Sequence, residues 1–520
     1  MTSLTPTDRP RTNRQLARQP GWIYRELGVE PIINCAGVRT NYGGSNPGPD
    51  VVLAMGAASE AFVDMDELMA GVGQRLAELT GAEWGIVTSG SAAGLALATA
   101  ACITGNNPQL MLALPWHLGP QPCVIMPVGH RFAYDHAIRM TGTRIVTVST
   151  LDELMRTLDA GAAMACTLGR KDLGELGSFE QFATLCRQSA VPVLVDAAAQ
   201  APASPDPWLS RGADLVVYAG GKYVRGPQST GFLLGNKALT HSAWLHAAPH
   251  QAWGRPMKVG KEEIIGAVSA LDRWLSRDNT YDQNQWSNRL HAIAWHLRDL
   301  PGVASDISPG TAETVVPRLR ISWKADAYPI NSEDIRQGLL HHKPRIMIHD
   351  FWATQNSITI DPFNLSKHEA SLVGEVLSAV LGRARTRATR SSSAAAPSID
   401  TTGEWRVLID FLHGNAEHCL CLTQQGGEIR GSHSALGSLG DIIGTVEKNR
   451  VNAISRHSTT PMATYYRFEG AVAGDSMSGT LQLGAAADEH LGPVFQSQFG
   501  AGKWRAVRAN TPVRSSGVNP

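Results

Sequence analysis

The stretch Asp214-Leu-Val-Val-Tyr-Ala-Gly-Gly-Lys222-Tyr-Val-Arg-Gly-Pro-Gln228 decides how this chain is read. An apolar strand runs into two glycines, and a lysine follows beside a Gly-Pro turn. A lysine held between a buried strand and a tight turn loses hydration, which lowers its pKa and makes its amine nucleophilic. A solvated loop lysine is the plain alternative. Upstream, Val191-Pro-Val-Leu-Val-Asp196 is a second apolar strand, ending in an acid. A carboxylate at the C-terminal end of a parallel strand lies where open α/β sheets bind ligands. Capping of the Ala-rich segment behind it is the competing role.

Further toward the N-terminus, Thr88-Ser89-Gly90-Ser91-Ala92-Ala93 joins a short apolar run to a helical one. Small residues let backbone N–H groups approach an anion, and a helix start adds its positive end. Close helix–sheet packing would use the same residues. His130, Arg131 and Tyr134 follow the strand candidate PCVIMPVG, where a ring could stack on a flat cofactor or simply begin a helix. Between these points short apolar runs (GIVTSG, RIVTVST, AAMACTL) alternate with helical patterns (LDELMRTLDAG, FEQFATLCRQS). That alternation predicts βαβ units, a mostly parallel sheet flanked by helices.

Residues 1–21 form a polar tail, expected to be mobile, and 22–260 form the large domain with its N-terminal segment. Residues 261–382 read as long helices followed by a small α+β domain with strands at RLRISW, PRIMIHD and SITIDP. Residues 383–403 are Arg/Ser/Ala-rich with no apolar period, the composition of a tether. From 404 to 510 seven segments alternate apolar and polar residues between glycine-bearing turns, which predicts an appended antiparallel β domain resembling a barrel.

Composition narrows the functional classes. With 520 residues, 46 basic and 46 acidic, the chain lacks the basic excess of a nucleic-acid-coating protein. Seven scattered cysteines without a CxxC argue against a disulfide framework and for the cytoplasm. No stretch reads as a signal peptide or a membrane span. His413, His418 and His433 with Cys419 and Cys421 match no zinc spacing, so no metal is expected.

Taken together, an anion cradle, a ring, a strand-end acid and a strand-end lysine suit pyridoxal 5'-phosphate, whose pyridine nitrogen needs an acidic partner to act as an electron sink. The segments GVEPIINCAGVRTNYGGS, GQRLAELTGAEWGIVTSGSAAGLALATAACITG, FAYDHAIRMTG, VPVLVDAAAQAP, ADLVVYAGGKYVRGPQSTGFLLG and GRPMKVGKEEIIGAVSAL carry a closer resemblance. From about 22 to 380 the chain resembles the selenocysteine synthase-like family of fold-type I enzymes, in its D-glucosaminate-6-phosphate ammonia-lyase branch.

The resemblance implies roles. Lys222 corresponds to the Schiff-base lysine, Asp196 to the acid on the ring nitrogen, and Ser89, Gly90 and Ser91 to the phosphate loop. His130 and Gln200 would lie against the cofactor, and Lys258, with Arg255 and Lys261, would reach phosphate from a neighbouring copy. Arg345 is the choice for the substrate carboxylate, with Asn34, Thr40 and Ser45 as secondary contacts. Three positions, Ala219, Trp84 and Arg39, depart from the family pattern and leave the substrate open.

The implied activity is α,β-elimination from an amino acid or amino-sugar acid. Racemisation, aldol cleavage and β- or γ-replacement remain alternatives, as does a non-catalytic binding protein on the same scaffold. A homodimer or larger homo-oligomer acting on a small molecule is expected.

Overall fold

The computed structural model describes residues 21–311, 314–388, 399–411, 414–435, 437–459, 462–486 and 501–509. The N-terminal tail to residue 20, residues 389–398 of the tether and His413 lie outside these. In chain order the strands are β1 (Ile32–Cys35), β2 (Trp84–Thr88), β3 (Cys123–Pro127), β4 (Arg144–Val148), β5 (Met164–Leu168), β6 (Val193–Asp196), β7 (Leu215–Ala219), β8 (Gly231–Gly235), β9 (Val303–Ser308), β10 (Arg318–Trp323), β11 (Arg345–Thr354) and β12 (Ser357–Ile360). The barrel strands follow: β13 (Gly403–Phe411), β14 (Gly414–Gln425), β15 (Glu428–Ala435), β16 (Ser438–Glu447), β17 (Arg450–Thr459), β18 (Met462–Ala473), β19 (Ser476–Ala486) and β20 (Ala501–Arg508).

The chain divides into two compact units. The described residues of one come from 21–37, 279–311 and 316–388; those of the other come from 38–278, 314–315 and the segment from 399 onward. The second unit holds a seven-stranded sheet in the order β2-β8-β7-β6-β5-β3-β4. Only β8 runs antiparallel to its neighbours, so β2 and β7 point the same way. Every residue of β2, β3, β5 and β8 is buried, which explains why they read as unbroken apolar runs rather than alternating ones. The helix Ser91–Thr104 is buried along most of its length, so its Ala/Leu/Gly texture marks core. The segment FAYDHAIRMTG forms a 3-10 turn at Ala133–Asp135 followed by the four-residue helix His136–Arg139.

The other unit is a five-stranded sheet, β1-β11-β12-β10-β9, with β1 parallel to β11. Its core joins Ile33, Leu319, Ile321 and Ile358 to Leu290 and Ile293 of the helix Asn279–Trp295 and Val373 and Leu377 of the helix Lys367–Ala388. Its boundaries differ from those drawn on composition. The segment around β1 joins this unit because its ladder partner is Arg345–Ile348, while the helix Lys261–Ser276 belongs with the large sheet. The helix Lys367–Ala388 also runs through 383–388, the first part of the expected tether.

The C-terminal strands close into an eight-stranded antiparallel barrel, β13 through β20 in sequence order. Sequence reading found seven of these strands. The missing one, β15, carries Gly431, Ser432 and Ser434 among its residues and resembles a turn. One end of the barrel is anchored by Trp405, whose indole N–H donates to Thr401 O at 2.9 Å beneath the Arg508 guanidinium, 4.4 Å from the ring.

Toward the other end three buried histidines form a line. Ser438 Oγ donates to Ala435 O at 2.7 Å, so His457 Nδ1 must donate to Ser438 Oγ at 2.8 Å. His457 Nε2 then accepts from His433 Nδ1 at 3.0 Å, and His433 Nε2 accepts from His418 Nδ1 at 2.8 Å. Ser455 Oγ lies 2.6 Å from His433 Nδ1. Gly440 makes room for this layer, since a Cβ there would sit 2.6 Å from His457 Cδ2.

That line is complete only when His433 and His457, which accept through Nε2, are neutral, while His418 ends it with a buried Nε2 that has no hydrogen-bond partner among the described residues. Burial, reinforced by neighbouring rings, holds His418 down at about 4 and His433 at about 2, and burial lowers His457. The unfolded chain takes up protons below about pH 6.5 while the native barrel does not. Stability present above pH 6.5 is therefore lost as pH falls toward 4. Hydrogen exchange on the full chain should show the amides of β14, β15 and β17 losing protection between pH 7 and pH 4.5. Protection that does not change would contradict the neutral line.

Candidate active site

The candidate residues of the large sheet lie on loops at the C-terminal ends of its parallel strands. After β7 the chain turns sharply: Gly226 N–H donates to Gly220 O at 2.8 Å and Arg225 N–H to Lys222 O at 3.1 Å. Arg225 takes up left-handed backbone (φ 59°), unusual for a residue with a side chain. Gly221 faces the return of the same loop, where a Cβ would lie 2.4 Å from Gln228 Cα. This turn drives Lys222 inward, and its Nζ donates to Ala198 O at 2.8 Å. Burial lowers the pKa of the amine; the Asp196 carboxylate pulls it back up, and Arg39 and Arg170 lower it further.

Asp196 ends β6. Its Oδ1 accepts the Ala198 N–H at 2.9 Å, so Ala198 bonds both the acid, through its N–H, and the lysine, through its carbonyl. Burial raises the Asp196 pKa, against the pull of the Ala198 N–H, Lys222 and Arg170.

The N-terminal segment grips the lysine turn. Ser45 Oγ donates to Lys222 O at 2.6 Å and lies 3.1 Å from Gly221 O, while Gln228 Nε2 donates to Thr40 O at 2.8 Å. Ser45 thus positions the lysine backbone, and Thr40 takes part through its carbonyl.

Beyond β2, Gly90 begins the helix Ser91–Thr104 with φ 86° and ψ 162°, a conformation open to glycine, and no side chain caps the helix. Gly231 packs against this start: a Cβ there would lie 2.6 Å from Ser91 N. Ser89, Gly90 and Ser91 are half-buried. An uncapped helix start with hydroxyls on either side and a glycine on its flank fits a phosphate group.

His130 is buried beyond β3 and bridges two strands. Its Nδ1 accepts the Leu168 N–H at 2.9 Å, which leaves Nε2–H to donate to Asp172 O at 3.0 Å. Both nitrogens are used and burial lowers the pKa, so a neutral ring face is what it offers.

Other expected residues are placed differently. Gln200 donates to Gly169 O and accepts from Trp208 Nε1, which ties its amide to the scaffold. Lys258 is exposed, and Lys261 Nζ donates to Ala58 O and pairs with Glu262. Trp84 begins β2, at the strand end opposite Ser89, with its indole in the space a Gly73 side chain would fill. Asn34 and Arg345 belong to the small unit. Asn34 closes a local turn through the Ala36 N–H and Gly37 O, and Arg345 donates to Glu30 O at 2.5 Å. Arg170, just past β5, was missed because a lone arginine after a strand carries no signal. The clue available was that CTLG precedes it as VLVD precedes the Ala-rich loop.

Among the described residues, no helix is long and apolar enough to cross a membrane, and no three His, Cys, Asp or Glu side chains are grouped to hold a metal ion.

A mostly parallel sheet with one reversed strand and a lysine turn beyond β7 is the large-domain scaffold of fold-type I pyridoxal-phosphate enzymes. Comparison with known proteins narrows this. No family model matches the chain. D-glucosaminate-6-phosphate ammonia lyase of Salmonella typhimurium is 30% identical over 364 residues, 68% of this chain and 95% of that protein. A solved structure of a D-glucosaminate-6-phosphate ammonia-lyase superposes with a TM-score of 0.61 at 28% identity, covering 70% of this chain and 98% of the other. A 5'-C-glycyluridine monooxygenase-decarboxylase from a Streptomyces species is 29% identical over 66% of this chain and 88% of its own. The chain belongs to the selenocysteine synthase-like family, and membership implies pyridoxal phosphate as cofactor.

Proposed function

We propose that the protein uses pyridoxal phosphate to eliminate water from a β-hydroxy amino acid or amino-sugar acid, as an ammonia lyase. The observation that carries this reading is the Lys222 amine, 2.8 Å from Ala198 O in the loop that Asp196 begins. When bound, the cofactor supplies a ring that takes up the electron pair left at the substrate Cα.

The chain's own residues do the rest. Ser89, Ser91 and the helix start between them hold the phosphate. The Asp196 carboxylate would hold a proton on the ring nitrogen, and the His130 ring would offer its face to the cofactor. The Lys222 amine would remove the α-proton, and burial, which lowers its pKa from the ordinary lysine range, favours the form that accepts one. The β-hydroxyl leaves with a proton as water, and hydrolysis of the released dehydrated product gives a 2-keto acid and ammonia. Exposed Lys258 fits a contact with a second copy.

The 29% relative is named for a different reaction, so the test must read products. Incubation with a panel of 2-amino-3-hydroxy acids, D-glucosaminate-6-phosphate included, should release ammonia and 2-keto acid in equal amounts. Exchange of the α-hydrogen with solvent without ammonia release would favour racemisation instead.

A further inference from the structure

Arg170 sits two residues beyond Leu168, whose register partner across the β5–β6 ladder is Asp196. The backbone around it is pinned. Gly169 N–H donates to Asp196 O at 2.9 Å, Gly169 O accepts from Gln200 Nε2 at 3.2 Å, and Lys171 Nζ donates to Gly129 O at 2.8 Å. Gly169 is fixed in kind as well, since a Cβ there would lie 2.6 Å from Gln200 Oε1. Between these anchors the Arg170 side chain is exposed, and it makes no hydrogen bond or ion pair with any described residue. It is close enough that both Asp196 and Lys222 feel its charge. An unpartnered guanidinium on a fixed backbone, beside an acid and an amine that the cofactor engages, is arranged for an incoming oxyanion.

We infer that Arg170 holds an oxyanion of the substrate, a carboxylate or a phosphate, an inference that rests on the pyridoxal-phosphate reading of the same edge. This makes the substrate an acidic amine rather than a neutral one, and gives Arg170 a binding role.

The test uses the full chain stripped of cofactor, as wild type and as Arg170→Gln. Both are titrated by calorimetry with the phosphopyridoxyl conjugates of alanine, alaninamide and O-phosphoserine. All three share the cofactor half; alaninamide lacks the carboxylate, and O-phosphoserine adds a second anion. Wild type should bind an anionic conjugate about tenfold or more tightly than the alaninamide conjugate. The variant should lose that preference while binding the alaninamide conjugate as wild type does.

Loss with the alanine conjugate assigns Arg170 to the α-carboxylate, and loss with O-phosphoserine alone assigns it to a distal anion. Arg170→Lys, which keeps the charge, should retain part of the preference. No preference in wild type, or one that survives in Arg170→Gln, overturns the inference. Failure of wild type to bind any conjugate would instead sink the cofactor reading beneath it.

Discussion

Replacing Lys222 with Ala is expected to abolish covalent capture of the cofactor and to lower turnover by at least about a thousandfold, because one amine serves both as tether and as base. The fold should survive. The substitution removes one hydrogen bond, to Ala198 O, and the turn around it is held by backbone bonds and by Ser45 Oγ, which contacts the Lys222 carbonyl rather than its side chain. Cofactor should still bind through the Ser89–Ser91 cradle, though more weakly and without covalent attachment. Added methylamine should restore part of the rate, since a free amine can replace a missing base but cannot repair a broken fold. A variant with near-normal turnover would remove Lys222 from the chemistry.

The second large effect is expected at Asp196. Asp196→Asn keeps an oxygen that can accept the Ala198 N–H but loses the charge that would hold a proton on the ring nitrogen, so turnover should fall by about a hundredfold to ten-thousandfold. Phosphate affinity should change little, because the cradle belongs to another loop. The substitution carries a second signature. The Asp196 carboxylate favours the ammonium form of Lys222, against burial and two arginines. Its removal should lower the Lys222 pKa further, so the alkaline shoulder of amine reactivity moves to lower pH. An unchanged pH profile would mean that the two groups are not coupled as the geometry has them.

These two residues were legible in the sequence because each comes at the end of a largely buried apolar strand, Asp196 as the last residue of β6 and Lys222 three residues beyond β7, where an apolar run followed by a charged residue stands out. Gly90 was legible for a related reason: the small residues needed at an uncapped helix start have few other causes. Side-chain partners were less accessible. Gln200 sits in the Asp196 loop, yet its amide is spent on Trp208, eight residues on, and on Gly169, thirty-one residues back. Ser45 was expected at substrate, whereas its hydroxyl grips the lysine turn 176 residues away. Trp84, a departure from the family pattern, begins β2 at the end opposite the cradle.

The fold shows the same division. Alternating strands and helices announced the large sheet, and period-two patterning announced the barrel. The partner of β1 was not announced, because ladder pairing leaves no mark in a four-residue apolar run. In β15 the inward positions include His433, a polar residue satisfied by His418, His457 and Ser455 on other strands, so the apolar alternation that marks a strand was broken.

The central claim, that the Lys222 amine is where cofactor is held, is tested most directly by borohydride reduction of the cofactor-loaded full chain followed by peptide mapping. The account predicts a single pyridoxyl label on Lys222, in the peptide that follows Arg211 and ends at Arg225. A label on Lys258, Lys261 or any other lysine would contradict it, and with it the roles given to Asp196 and the Ser89–Ser91 cradle.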